Sequence, residues 1–121
     1  KVVRASETSE SAARAIVSSE LKADPAPSAV FAVNDPMAVG VIGAAQAAGI
    51  DVPRDLSVVG YDDSSLMAFT ELAKLGITVS TALGEQAGQA LVALIEQRNA
   101  SVQALFMPRV VERSSTAPRP R

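Results

Sequence analysis

The sequence holds 121 residues, enough for one domain on the usual span of roughly 100–200 residues, and 48% of them are hydrophobic against 20% charged. A formal net charge of −2 offers nothing to a phosphate backbone, which excludes DNA binding by non-specific attraction for this stretch. Neither cysteine nor histidine is present, which removes disulfides, zinc sites of the usual kind, thiol nucleophiles and acid–base schemes built on imidazole.

The chain opens on Lys1–Arg4, a short β-branched stretch that reads as a strand already under way, as in a piece of a longer protein. No signal-peptide pattern precedes it, and no apolar run reaches membrane length. After the polar Ala5–Glu10, Ser11–Ala23 places Ala12, Ala15, Ile16 and Leu21 at helical spacing. Asp24-Pro25-Ala26-Pro27 stops that helix, because a residue before proline is pushed out of helical geometry. Ser28–Val33 is continuously apolar and predicts a strand buried on both faces of a parallel sheet.

Asn34-Asp35-Pro36 opens the next helix, with Asp35 as N-cap and Pro36 in the first helical position, where its missing N–H costs nothing. The helix is expected to run to about Ala48 and to end at Gly49 in the left-handed position that glycine favours. Ile50–Leu56 connects to a strand over Ser57–Tyr61, which ends in Asp62-Asp63. Beyond it the pattern predicts a short helix or turn over Ser64–Leu72, a strand over Ile77–Ser80 and a long helix over Leu83–Arg98. Strands over Ala104–Met107 and Arg109–Glu112 then flank Pro108, and Ser114–Arg121 is a polar tail.

Strand and helix alternate, so the expected fold is α/β, a parallel sheet flanked by helices. Ligands of such sheets gather at the carboxyl ends of the strands, and two of those ends carry Asn34-Asp35 and Asp62-Asp63. Asp35 is explained by the helix cap alone, whereas Asn34 suits a turn and a ligand contact equally. Asp62 is the better ligand candidate, since a strand end needs no acid there, and Asp63 suits a turn. An acidic cluster of this kind would also take a hard cation. No strand-end lysine accompanies it, however, and Lys74 falls in an irregular stretch, which argues against a phospho-acceptor or magnesium enzyme. Gly40-Val41-Ile42-Gly43 and Gly84–Gly88 sit inside helical patterns and are not phosphate loops.

Pro36–Ala48 is apolar all round apart from Gln46, so it must be covered on two sides, one by the sheet and the other by a second layer or another chain. The second option predicts a homodimer through this helix, at Met37, Val39 and Ile42.

Three blocks carry a family resemblance. Ala29-Val30-Phe31-Ala32-Val33-Asn34-Asp35-Pro36-Met37-Ala38-Val39-Gly40 resembles the "AIFAANDxMAxG" block of LacI/GalR transcription regulators. Val52-Pro53-Arg54-Asp55-Leu56-Ser57-Val58-Val59-Gly60-Tyr61-Asp62-Asp63 is similar to that family's "VPxDxSVxGxDD", and Glu112–Pro118 to its "RxSTAPP" close. The order and spacing match across nearly the whole chain. The resemblance implies one lobe of a type I periplasmic-binding-protein-like fold plus crossing segments. Residues 1–80 would form mainly the C-terminal lobe, 81–107 a segment that packs on the other lobe, and 108–121 the closing strand and tail.

The function so implied is non-enzymatic: a cytoplasmic repressor that dimerises through the Pro36–Ala48 helix and the segment with Leu66, Met67 and Phe69, and binds a small sugar-like effector between two lobes. It would read operator DNA through an N-terminal helix-turn-helix outside this chain, with no cofactor and no membrane. A transport-type solute-binding protein of the same fold is the alternative. By the resemblance, Asn34 and Asp62 occupy effector-contact positions, and Glu7 stands where many members place an aromatic that stacks on the ligand. Ala82 replaces a polar side chain that often contacts the effector. Both Glu7 and Ala82 depart from the family pattern, and Glu7 also suits a solvated helix start.

Overall fold

A computed structural model describes residues 1–64, 80–96 and 110–118. Its first element, α1 (Glu10–Glu20), is capped by Ser9, whose hydroxyl accepts from the Ala12 N–H at 3.2 Å. Glu10 in the first turn complements the positive end of the helix. Ala13, Val17 and Leu21 recur every fourth residue and are buried, so one stripe of α1 faces the core.

Strands β1 (Ala29–Phe31) and β2 (Ser57–Val59) pair in parallel, with Val30 beside Val58. The helix α2 (Asp35–Ala47) connects them as the crossover that a parallel pair requires. Ala48 is its C-cap, and Gly49 follows at φ +72°. The Gly49 N–H donates to the Gln46 carbonyl and the Ile50 N–H to that of Ala45, which satisfies the last free carbonyls. Ile50 folds back onto the core, so this stop was legible in the sequence.

Two expectations are corrected. Lys1–Arg4 is not a strand: Val2 is 83% exposed, and the two-stranded sheet does not extend to it. Nor is the apolar run at 28–33 buried on both faces. Val30 and Ala32 face the core, while Phe31 and Val33 on the other face are each 60% exposed. An apolar run announces two coverable faces, and α1 and α2 lie over only one of them. The sheet pairing at β2 is also shorter than the expected 57–61.

The second cover for α2 is α1, within the same chain. Their close approach depends on Gly40: a Cβ there would lie 2.2 Å from the Glu10 carbonyl oxygen. Gly43, one turn on, lies under the Arg14 side chain, whose Nη2 donates to the Gly43 carbonyl at 3.3 Å. The core these layers enclose centres on Val41, Ile42, Ala45, Leu56 and Val58. The long helix α3 (Ser80–Ile95) packs closely on none of the other described elements, and its Leu91, Val92 and Ile95 are exposed.

The seam gives a paired prediction. Gly40→Ala forces a methyl group into backbone and is expected to cost roughly 2–3 kcal/mol, the upper range for overpacking. Gly43→Ala meets only the movable end of Arg14 and is expected to be neutral or slightly stabilising, given alanine's better helix propensity. Thermal denaturation of both variants checks this, and equal losses would contradict it.

Candidate functional site

The carboxyl ends of β1 and β2 bring together the start of α2, the turn after β2 and the segment 110–118. Asn34, in extended geometry (φ −153°, ψ 169°), is the true N-cap of α2. Its Oδ1 accepts from the Met37 N–H at 2.9 Å, and its Nδ2 donates to the Thr8 carbonyl at 3.4 Å. The expected cap, Asp35, stands one position inside the helix, with Pro36 in the next place. Either residue of an Asn-Asp pair can cap, and the one whose backbone is still extended takes the role.

Asp35 is 1% exposed. Its Oδ2 accepts from the Ser64 N–H at 2.7 Å, and its Oδ1 has no hydrogen-bond partner among the described residues. Burial pushes its pKa above the ordinary carboxylate range. The Ser64 N–H opposes that shift, the neighbouring charges of Asp62 and Asp63 add to it, and Arg113 opposes it.

The turn itself is backbone-strained, with Asp62 at φ 108° and Asp63 at φ 52°. Aspartate tolerates the left-handed region better than most residues, yet such a pair costs energy that surrounding contacts must hold in place. For Asp63 that contact is an ion pair with Arg113, largely shielded from solvent. The segment carrying Arg113 lies along β2: the Val58 N–H donates to the Ser115 carbonyl at 2.8 Å, and the Ser57 hydroxyl meets the backbone of Ala117. Asp62 alone of the three acids is exposed. Its carboxylate offers two acceptor oxygens to adjacent hydroxyls, in charge-assisted bonds.

The remaining candidates fall as follows. Glu7 is exposed on the loop before α1 and accepts from the Ser9 hydroxyl at 2.7 Å, while the next residue, Thr8, touches Asn34. Met37 and Val39 are half-buried on α2. Ile42 is 3% exposed and fully used by the core of its own chain, which leaves it no surface for a partner. Leu66, Met67 and Phe69 lie outside the described residues, as does the side chain of Ala82. Arg113 received no role from the sequence, although the block Glu112–Pro118 contains it; an arginine returning near a strand-end acid pair was the available signal. Among the described residues no group of side chains suits a metal ion, and no helix is long and apolar enough to cross a membrane.

Exposed acceptors at the carboxyl ends of parallel strands suit a ligand-recognition domain of the α/β class. The model of the periplasmic binding protein-like domain matches residues 1–116, and the chain belongs to that family, in the form carried by LacI-type transcription regulators. The HTH-type transcriptional regulator MalR of Streptomyces coelicolor is 43% identical over 94 residues, covering 76% of this chain and 27% of the relative. The ribose operon repressor of Escherichia coli is 41% identical over 91 residues, covering 74% of this chain and 28% of the relative. A LacI family transcriptional regulator from Arthrobacter, solved in complex with lactose, superposes with a TM-score of 0.81 at 28% identity, over 92% of this chain and 43% of its own. The chain therefore spans about a quarter of the length of the curated relatives it matches. Regulators of this family are not enzymes.

The raised pKa of Asp35 has a signed consequence. The folded state holds this proton more tightly than the unfolded state, so the contribution of Asp35 to stability falls as pH rises from the ordinary carboxylate range to its raised value, then levels off. Asp35→Asn keeps an acceptor for the Ser64 N–H and removes the buried charge. Its stability relative to the parent is expected to improve with rising pH through that window. Denaturant melts of both proteins across the acid-to-neutral range measure this, and a difference independent of pH would contradict it.

Proposed function

We propose that this chain is the C-terminal part of the effector-binding and dimerisation domain of a LacI-type transcription repressor. A small sugar-like effector binds at the strand ends against Asp62, in a cleft completed by a second lobe. The observation that carries this reading is the division of labour among the acids: Asp35 is buried on Ser64 and Asp63 is held by Arg113, while Asp62 faces outward. The lactose held by the Arthrobacter regulator supports a sugar-like ligand. Asn34 would contribute chiefly through its Nδ2, because its Oδ1 is engaged by the cap.

Residues 1–80 would belong mainly to the C-terminal lobe, 81–107 would pack on the other lobe, and 108–121 would cross back. The exposed apolar side chains of α3 agree with that assignment. The effector would act by differential affinity for two lobe arrangements, shifting a cytoplasmic dimer between states that do and do not hold operator DNA through a helix-turn-helix segment. With α1 covering α2 and Ile42 spent on the core, the α2 contribution to a dimer reduces to Met37 and Val39. The transport-protein reading has the fold in its favour, but the named relatives are regulators.

Calorimetric titration of the full-length protein with a panel of sugars tests the ligand reading. At least one sugar is expected to bind, and Asp62→Ala is expected to weaken that binding by about a hundredfold, as when charged hydrogen bonds are lost. Retention of full affinity in that variant would remove Asp62 from the site. Light scattering at micromolar concentration is expected to give a dimer that Met37→Glu combined with Val39→Glu dissociates; a monomeric parent protein would end the dimer proposal.

A further inference from the structure

Three chain segments meet at the strand ends, and the bonds between them form one connected path. Asp35 at the start of α2 accepts from the Ser64 N–H; one residue earlier, Asp63 pairs with Arg113; and the segment of Arg113 is bonded to β2 through Ser115 and Ala117. The anchored residues, Asp63 and Ser64, directly follow Asp62, and the turn holds Asp62 and Asp63 at positive φ, a geometry the backbone would not keep unaided. A buried carboxylate and a shielded arginine–carboxylate pair are costly to assemble and costly to break singly. Their placement on adjacent residues at the end of a strained turn gives that cost a use.

We propose that Asp35 and Arg113 are positioning residues: together they fix the turn that presents Asp62, and Arg113 makes the state of that turn felt along segment 110–118. The effector role of Asp62 rests on the function proposed above; the geometric part does not. Asp35 holds the turn from the α2 side through a single short bond, so loosening it frees Ser64. Arg113 holds it from the returning segment, so movement of Asp63 pulls on residues hydrogen-bonded to the edge of β2. An effector that takes hydroxyl contacts from Asp62 would thereby alter the tension on a segment it does not touch. The bonds from the turn through Arg113 to segment 110–118 form a contiguous network of the kind that can carry coupling.

Amide hydrogen exchange on the full-length protein tests the geometry without any ligand. Arg113→Gln is expected to speed exchange by about tenfold or more in both 57–64 and 110–118, the scale of a lost charged hydrogen bond. Amides of α1 and α2 should stay protected, Asp63→Asn should reproduce the effect from the other side, and Arg113→Lys should reverse part of it. Asp35→Ala is expected to speed 57–64 and leave 110–118 slower to respond. Unchanged exchange in 57–64 overturns the proposal, and so does loss of protection across the whole chain in both Arg113→Gln and Asp63→Asn. For a sugar whose binding Asp62→Ala removes, Arg113→Gln should weaken affinity by about tenfold, and unchanged affinity overturns the positioning role. If no sugar of the panel binds the parent protein, the ligand reading fails, and the exchange result decides the inference by itself.

Discussion

The first turn of α2 is the point on which the rest of the structure depends. Asn34 closes the helix, and through Thr8 it also ties the loop before α1 to the sheet edge. Asp35, one residue on, reaches across to Ser64 and anchors the turn that follows β2. Gly40 then lets α1 lie against the same helix at backbone distance. Cap, tie and close approach fall within seven consecutive residues, so one short segment sets both the packing of the layer and the shape of the site.

The energetics of that arrangement are unequal. The cap is worth about 1 kcal/mol and could be lost without unfolding the domain. The seam at Gly40 leaves no room for any side chain and is therefore intolerant. Asp35 is a cost in its ionised form, since its charge is withdrawn from water while one carboxylate oxygen has no partner among the described residues. A structural acid with an available neutral substitute is better explained by what it holds in place than by the stability it adds. Here it holds a turn whose neighbour, Asp62, carries the exposed acceptors.

Local signals in the sequence were sufficient for α1, α2, both described strands and the stop at Gly49, because spacing, proline and glycine act within a few residues. They misplaced the cap by one position, since Asn34 and Asp35 have the same chemistry and differ only in backbone geometry. The apolar run at 28–33 could not reveal that Phe31 and Val33 face outward, because composition states what can be buried and not what lies above it. The burial of Ile42 was hidden for a related reason: a helix apolar on all sides needs two covers, and the pattern does not say which elements supply them. The pairing of Asp63 with Arg113 spans fifty residues of sequence, and no local pattern specifies a contact at that range. The three family blocks marked this region as a site, yet the roles of its individual acids became distinct only in three dimensions.

A crystal structure of the full-length protein with its bound sugar would decide whether the effector sits on Asp62. Sugar hydroxyls are expected within hydrogen-bonding distance, about 2.7–3.0 Å, of the Asp62 carboxylate at the carboxyl ends of β1 and β2. Asp35 is expected to stay on the Ser64 N–H and Asp63 on Arg113. A sugar bound elsewhere, with Asp62 facing only solvent, would contradict it.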